Sequence, residues 1–169
     1  MKTAFLIDGG FFLKRYEKIE NCNREDDPEI VAMNLIKYVY QHLTRINDYR
    51  KRFNLPPTEL HRIYYYDARP FEGDTHHPIT NRAYSFKRTD QFKHRTKLFQ
   101  ILSKQRKVAL RLGFLKNSSK HWVIKSHLTK KLINGTMEIS DLTESDVAYP
   151  LTQKAVDMKL GLDIATLAY

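Results

Sequence analysis

The sequence predicts an α/β fold: an open, mostly parallel sheet flanked by helices, contained in one domain over residues 1–169. Three observations predict it. Short apolar or aromatic runs alternate with stretches of helical periodicity, which is the pattern of β-α-β units. Two of those runs close on an acid, Asp8 and Asp67, at the strand ends where such sheets gather ligands. The length of 169 residues suits one compact core, and 41% hydrophobic side chains with only six Gly and six Pro exclude a disordered or collagen-like chain.

Lys2 to Ile7 is a short apolar run closed by Asp8-Gly9-Gly10, which predicts a buried strand and a tight turn into a helix over Phe11 to Glu20. Pro28 suits the first turn of a long helix reaching about Phe53, because Ile30, Val31, Leu35, Ile36, Val39, Leu43 and Ile46 recur at helical spacing before Pro56-Pro57 ends it. Leu60 to Asp67, centred on Ile63-Tyr64-Tyr65-Tyr66, is β-branched and aromatic and predicts the second strand. Residues 68–80 are expected to form a loop, and Asn81 to Gln105 a basic helix leading into a third strand, Val108 to Leu115. His121 to Lys125 is a candidate edge strand. Residues 126–152 are mixed, with Gly135 and Pro150 as breakers. Lys154 to Ala168 then predicts a final helix with Val156, Leu160, Ile164 and Leu167 as its core stripe.

Charge is unevenly distributed along this frame. Lys and Arg number 29 against 19 Asp and Glu, a net charge of +10. Residues 1–81 are balanced at 12 of each sign, residues 82–131 carry 15 bases and the single acid Asp90, and residues 132–169 carry two bases and six acids. A segment that basic repels itself unless it meets a polyanion, so it predicts nucleic acid as partner and Arg88, Lys93, Arg95 and Lys97 as backbone contacts. A solvated basic face is the competing reading. Tyr84, Phe86, Phe92, Phe99 and Trp122 are interleaved with these charges, either to stack on bases or to fill the core. No apolar run reaches the roughly 18 residues of a membrane span, and the N-terminus meets Asp8 too early for a signal peptide. The lone Cys22 supports neither an internal disulfide nor a thiolate metal site, so a cytoplasmic setting is expected.

The chemistry-bearing candidates are acids. Asp8 stands at the mouth of the first strand, with Gly9-Gly10 allowing a sharp turn and close approach; it is also a candidate helix N-cap. Asp157 falls in the first turn of the last helix, where a carboxylate complements the dipole. Asp163, six residues on, lies about 120° further round and is placed to pair with Lys159. Carboxylates at a sheet rim bind Mg²⁺ or Mn²⁺, and a cationic surface beside them suits a phosphodiester. No Gly-x-Gly-x-x-Gly or Asp-x-Asp-x-Thr pattern follows the first strand, which argues against a small phosphorylated substrate. His76-His77 reads as a surface loop rather than a zinc site, and His121 and His127 as part of the basic surface.

Ile7-Asp8-Gly9-Gly10-Phe11-Phe12, Arg62-Ile63-Tyr64-Tyr65-Tyr66-Asp67-Ala68 and the helix Gln153 to Ala165 together resemble the NYN group of PIN-like metal-dependent ribonucleases, in its LabA-like branch. The resemblance implies a PIN-like, Rossmannoid sheet and hydrolysis of single-stranded or structured RNA by metal-activated water. It implies Asp8 and Asp157 as ligands of Mg²⁺ or Mn²⁺, Asp163 as a further member of the acidic cluster, and Lys154 facing the same pocket. An RNA-binding or regulatory module that has lost turnover is the alternative. Many relatives carry Asn shortly after the first acid, where this chain has Gly10 and Phe11. The family pattern also continues into another strand ending in a Gly-Asp-x-Asp-Phe type motif, whereas this chain stops at Tyr169. The resemblance therefore implies a sheet incomplete at its C-terminal end, with an edge open to a second copy or another chain.

Overall fold

A computed structural model describes residues 1–19, 27–117 and 119–168; Cys22 and Glu20 lie outside them. In chain order the elements are β1 (Lys2–Asp8), α1 (Gly9–Ile19), α2 (Pro28–Arg52), β2 (Glu59–Arg69), β3 (Asp74–His76), β4 (Ala83–Ser85), α3 (Asp90–Lys104), β5 (Val108–Lys116), β6 (Val123–Ile124), α4 (Ser126–Ile133), β7 (Val147–Ala148), β8 (Thr152–Lys154) and α5 (Val156–Ala168). The main sheet has the order β1-β2-β5-β8; the first three strands are parallel and β8 is antiparallel to β5. Two small antiparallel pairs, β3-β4 and β6-β7, stand apart from it. The expected mixed α/β architecture with a mostly parallel, helix-flanked sheet is the one observed. No helix among the described residues is long and apolar enough to cross a membrane.

β2 is the central strand, and its sequence is why. Ile63 and Tyr65 point to one face and are 1% and 0% exposed, while Tyr64 and Tyr66 point to the other at 8% and 0%. A strand buried on both faces has no polar side, which is what the Ile-Tyr-Tyr-Tyr run provides. The first face packs against α1, α2 and α3 through Tyr16, Val31, Leu35, Val39, Leu98 and Leu102. The second face is covered by α5, with Val156 and Leu160 meeting Tyr64, Tyr66 and Ala68. The long α2 starts as its sequence suggests: Pro28 occupies the first turn and the Asp27 carboxylate accepts from the Glu29 amide at 2.9 Å.

Several expectations are corrected. α1 begins at Gly9, because the Asp8 carboxylate accepts from the Phe11 amide at 2.9 Å and caps the helix directly at the strand end. β2 continues two residues past Asp67, since its ladder with β5 runs on to pair Arg69 with Phe114. The expected loop over 68–80 holds β3, and the expected helix over 81–105 opens instead with β4 and a 3-10 turn. Its helix starts at Asp90 because the Thr89 hydroxyl accepts from the Phe92 amide. The strand expected over His121 to Lys125 is reduced to β6, which pairs with β7 and not with the main sheet. Lys154, the expected first residue of the last helix, instead ends β8 (Thr152–Lys154); Ala155, at φ 65°, turns the chain between β8 and α5. Of the predicted stripe only Val156 is fully buried, Leu160 is partly so, and Ile164 and Leu167 are 53% and 42% exposed. His77 is not on the surface: it is buried against the Trp122 ring, 4.8 Å between centroids.

Candidate functional site

The carboxyl ends of β1, β2 and β5 form one rim, and the candidate acids are distributed around it. Asp8 pairs in register with Tyr66, and Tyr66 with Arg111, so these three share a row and a face of the sheet. One Asp8 oxygen caps α1, and the other makes no hydrogen bond or ion pair within the described structure. Gly9 follows because nothing larger fits: a Cβ there would lie 2.5 Å from Tyr65 Cζ and 2.8 Å from Asp67 Oδ2.

Asp67 is buried under this turn. Its Oδ1 accepts from the Ala68 amide at 2.8 Å, and its Oδ2 accepts from the Arg95 guanidinium and, at 3.4 Å, from the Tyr65 hydroxyl. Burial raises the carboxyl above the ordinary carboxylate range, a tendency that Arg95 and the Ala68 and Tyr65 hydrogen bonds oppose and nearby Asp8 reinforces. Burial and then Asp67 likewise hold the Tyr65 phenol well above its usual range. Arg95, expected on the nucleic-acid face, is thus turned inward, its side chain 23% exposed.

Asp163 has a different set of partners from the one the sequence offered. Its Oδ2 accepts from the Tyr66 hydroxyl at 2.7 Å and from Arg111 Nε at 2.8 Å, while Lys159 reaches the Leu112 carbonyl at 2.7 Å. Burial, followed by the bond to Asp163, raises the Tyr66 phenol. These contacts orient α5. Val156, Leu160 and Asp163 face the sheet, and Lys159 leaves on the flank towards β5. Asp157, about 160° round the axis from Lys159, leaves on the opposite flank and is exposed. Gly113 lets this helix start so close: a Cβ there would lie 2.2 Å from the Lys154 carbonyl and 2.7 Å from Val156 Cγ2.

Among the described residues no three His, Cys, Asp or Glu side chains are gathered tightly enough to hold a metal as a protein-only cage. Mg²⁺ does not require one, since it binds through one or two carboxylates and completes its shell with water and substrate phosphates. Asp8 keeps one oxygen, and exposed Asp157 both, outside any hydrogen bond or ion pair among the described residues, and a carboxylate oxygen is the donor type such an ion takes. Asp67 has both oxygens engaged, while Asp163 spends Oδ2 on Tyr66 and Arg111 and keeps Oδ1 outside any hydrogen bond or ion pair among the described residues.

The predicted cations divide as well. Arg88 and Lys154 are exposed, Lys93 pairs with Asp90 at 3.4 Å on α3, and Lys97 reaches Glu29 of α2 at 3.2 Å. Sequence reasoning missed a cavity of about 660 Å³ between α1, the start of α3 and the end of β8, lined by Gly10, Lys14, Asp67, Phe92, Arg95 and Gln153 among others. No local pattern signals it, because its walls come from six separate segments. No family model, curated protein or solved structure matches the chain.

Proposed function

We propose that the protein is an RNA-directed phosphodiesterase of the NYN type, built on a PIN-like sheet and working in the cytoplasm with Mg²⁺ or Mn²⁺. The observation that carries the reading is Asp8 at the mouth of β1, the acid of the first family-like motif, which spends one oxygen on the cap of α1 and keeps the other open; exposed Asp157 of α5 is the second ligand on this reading. When bound there, the ion would neutralise the phosphate and lower the pKa of an attacking water. Asp8 is held by its cap on α1 and would supply a rigid ligand; Asp157 would meet it from α5. The exposed Lys154 and Arg88 would hold the RNA backbone by charge. Asp163 has a positioning role on this reading, fixing α5 against Tyr66 and Arg111.

The alternative of an RNA-binding module without turnover is favoured by the capture of Asp67 by Arg95, which puts an internal cation where a metal-binding carboxylate would otherwise be open. One experiment separates the two. Labelled RNA incubated with the protein and Mn²⁺ is expected to be cleaved, to survive in EDTA, and to be bound but left intact by Asp157→Asn. Binding without cleavage under every metal condition would support the alternative, and cleavage that persists in EDTA would reject the metal mechanism.

A further inference from the structure

The aromatic side chains of the basic segment do not share one role. Phe99 is in the main core. Tyr84, Phe86 and Trp122 interlock with Phe71 and Tyr149, ring centroids 5.0 to 5.9 Å apart, in a separate cluster over the β3-β4 pair. Phe92 belongs to neither group. It is half-buried, makes no ring-ring contact and joins no core cluster among the described residues, yet it lines the rim cavity. The Thr89 cap fixes its backbone in the first turn of α3.

That cavity has the chemistry of a base site. Its volume, about 660 Å³, falls within the roughly 300–1,000 Å³ typical of small-ligand pockets. Phe71 and Phe86 supply a second aromatic wall, and the exposed amides of Gln91 and Gln153 stand at its margin, able both to donate to and accept from a base edge. Gly10 and Asp67 line it too, so a nucleotide seated there sets its neighbouring phosphodiester at the rim beside Asp8.

We infer that this cavity is a nucleobase subsite for single-stranded RNA, with Phe92 as the stacking ring. The inference rests on the RNA reading above and adds strand selectivity to it. Bases inside an A-form duplex are stacked and paired and cannot enter such a pocket, whereas an unpaired base can turn in and lie on an aromatic face. Duplex RNA then has only the basic surface to bind.

The test is fluorescence anisotropy in EDTA, which keeps the RNA intact, using labelled dodecauridylate, a duplex of the same length, and UMP as competitor. Parent protein is expected to bind the single strand more tightly than the duplex. Phe92→Ala should weaken the single strand about tenfold, in keeping with the loss of one stacked base, and leave the duplex unchanged; Phe92→Tyr should restore it. Equal loss for both strands, or no loss, overturns the subsite while leaving the RNA reading intact. Failure to bind either RNA overturns both. UMP that displaces the strand at equimolar concentration assigns the pocket to free nucleotides and overturns strand recognition. A Phe92→Leu variant, which retains apolar bulk, separates stacking from folding: it should melt like the parent and still bind the single strand weakly.

Discussion

Replacing Arg95 with Ala isolates the electrostatics under the rim. In the parent, Arg95 neutralises a carboxylate that is otherwise held only by the Ala68 amide and a long bond from Tyr65. Removing one partner of a buried pair costs about 3–5 kcal/mol, and the 23% residual exposure of the Arg95 side chain puts this case near about 3 kcal/mol. With a urea m-value of about 2 kcal/mol/M, the midpoint at pH 8 should fall by about 1.5 M. The pH dependence has a definite sign. The Asp67 carboxyl is raised in the folded state, so the stability it contributes is full below its unfolded value, near 4, and is lost as pH rises through the folded value. Without Arg95 the folded value climbs further, and the deficit must be larger at pH 8 than at pH 5, since proton uptake by the buried carboxyl as pH falls removes the unpaired charge. The double variant Arg95→Ala/Asp67→Asn, which leaves no buried charge, should recover most of the loss at pH 8. Urea denaturation followed by circular dichroism at both pH values reads all of this. A deficit under about 0.5 kcal/mol at pH 8, or an equal deficit at the two pH values, would refute the assignment of Asp67 as a buried charge sustained by Arg95.

Two other perturbations test the remaining parts of the rim. Asp163→Ala strands the buried Tyr66 hydroxyl and removes the link to Arg111; it should lower stability by about 1–3 kcal/mol and loosen α5, read as faster amide exchange over Val156 to Ala168 with β2 unaffected. Unchanged exchange would mean that packing of Val156 and Leu160 alone fixes the helix. RNA affinity should fall steeply with salt, and Lys93→Ala with Lys97→Ala should reduce the log–log slope by about two at most; a flat salt dependence would remove the basic face from the binding site.

The elements most legible in the sequence were those whose side chains report their own surroundings. The Ile63 to Tyr66 run is apolar on both sides, which already implies a central strand, and Asp27-Pro28 with its following period of apolar residues marks α2. Asp8 announced its capping role, since a carboxylate after a strand and before two glycines suits a helix cap. Thr89-Asp90 marked the true start of α3 but was masked by the helical spacing of the aromatics before it, which pack on one another in a cluster remote in sequence.

The sequence by itself determined the class of fold, the strand ends that carry Asp8 and Asp67 and the basic character of residues 82–131, because periodicity and charge are local properties of the chain. Only the tertiary structure decided which charges remain available. It committed Asp67 to Arg95 across 28 positions and Asp163 to Tyr66 across 97, left Asp8 and Asp157 with free oxygens, and spared Phe92 from the core. Partnerships of that range depend on how helices pack across a sheet, and no spacing rule along one segment encodes them.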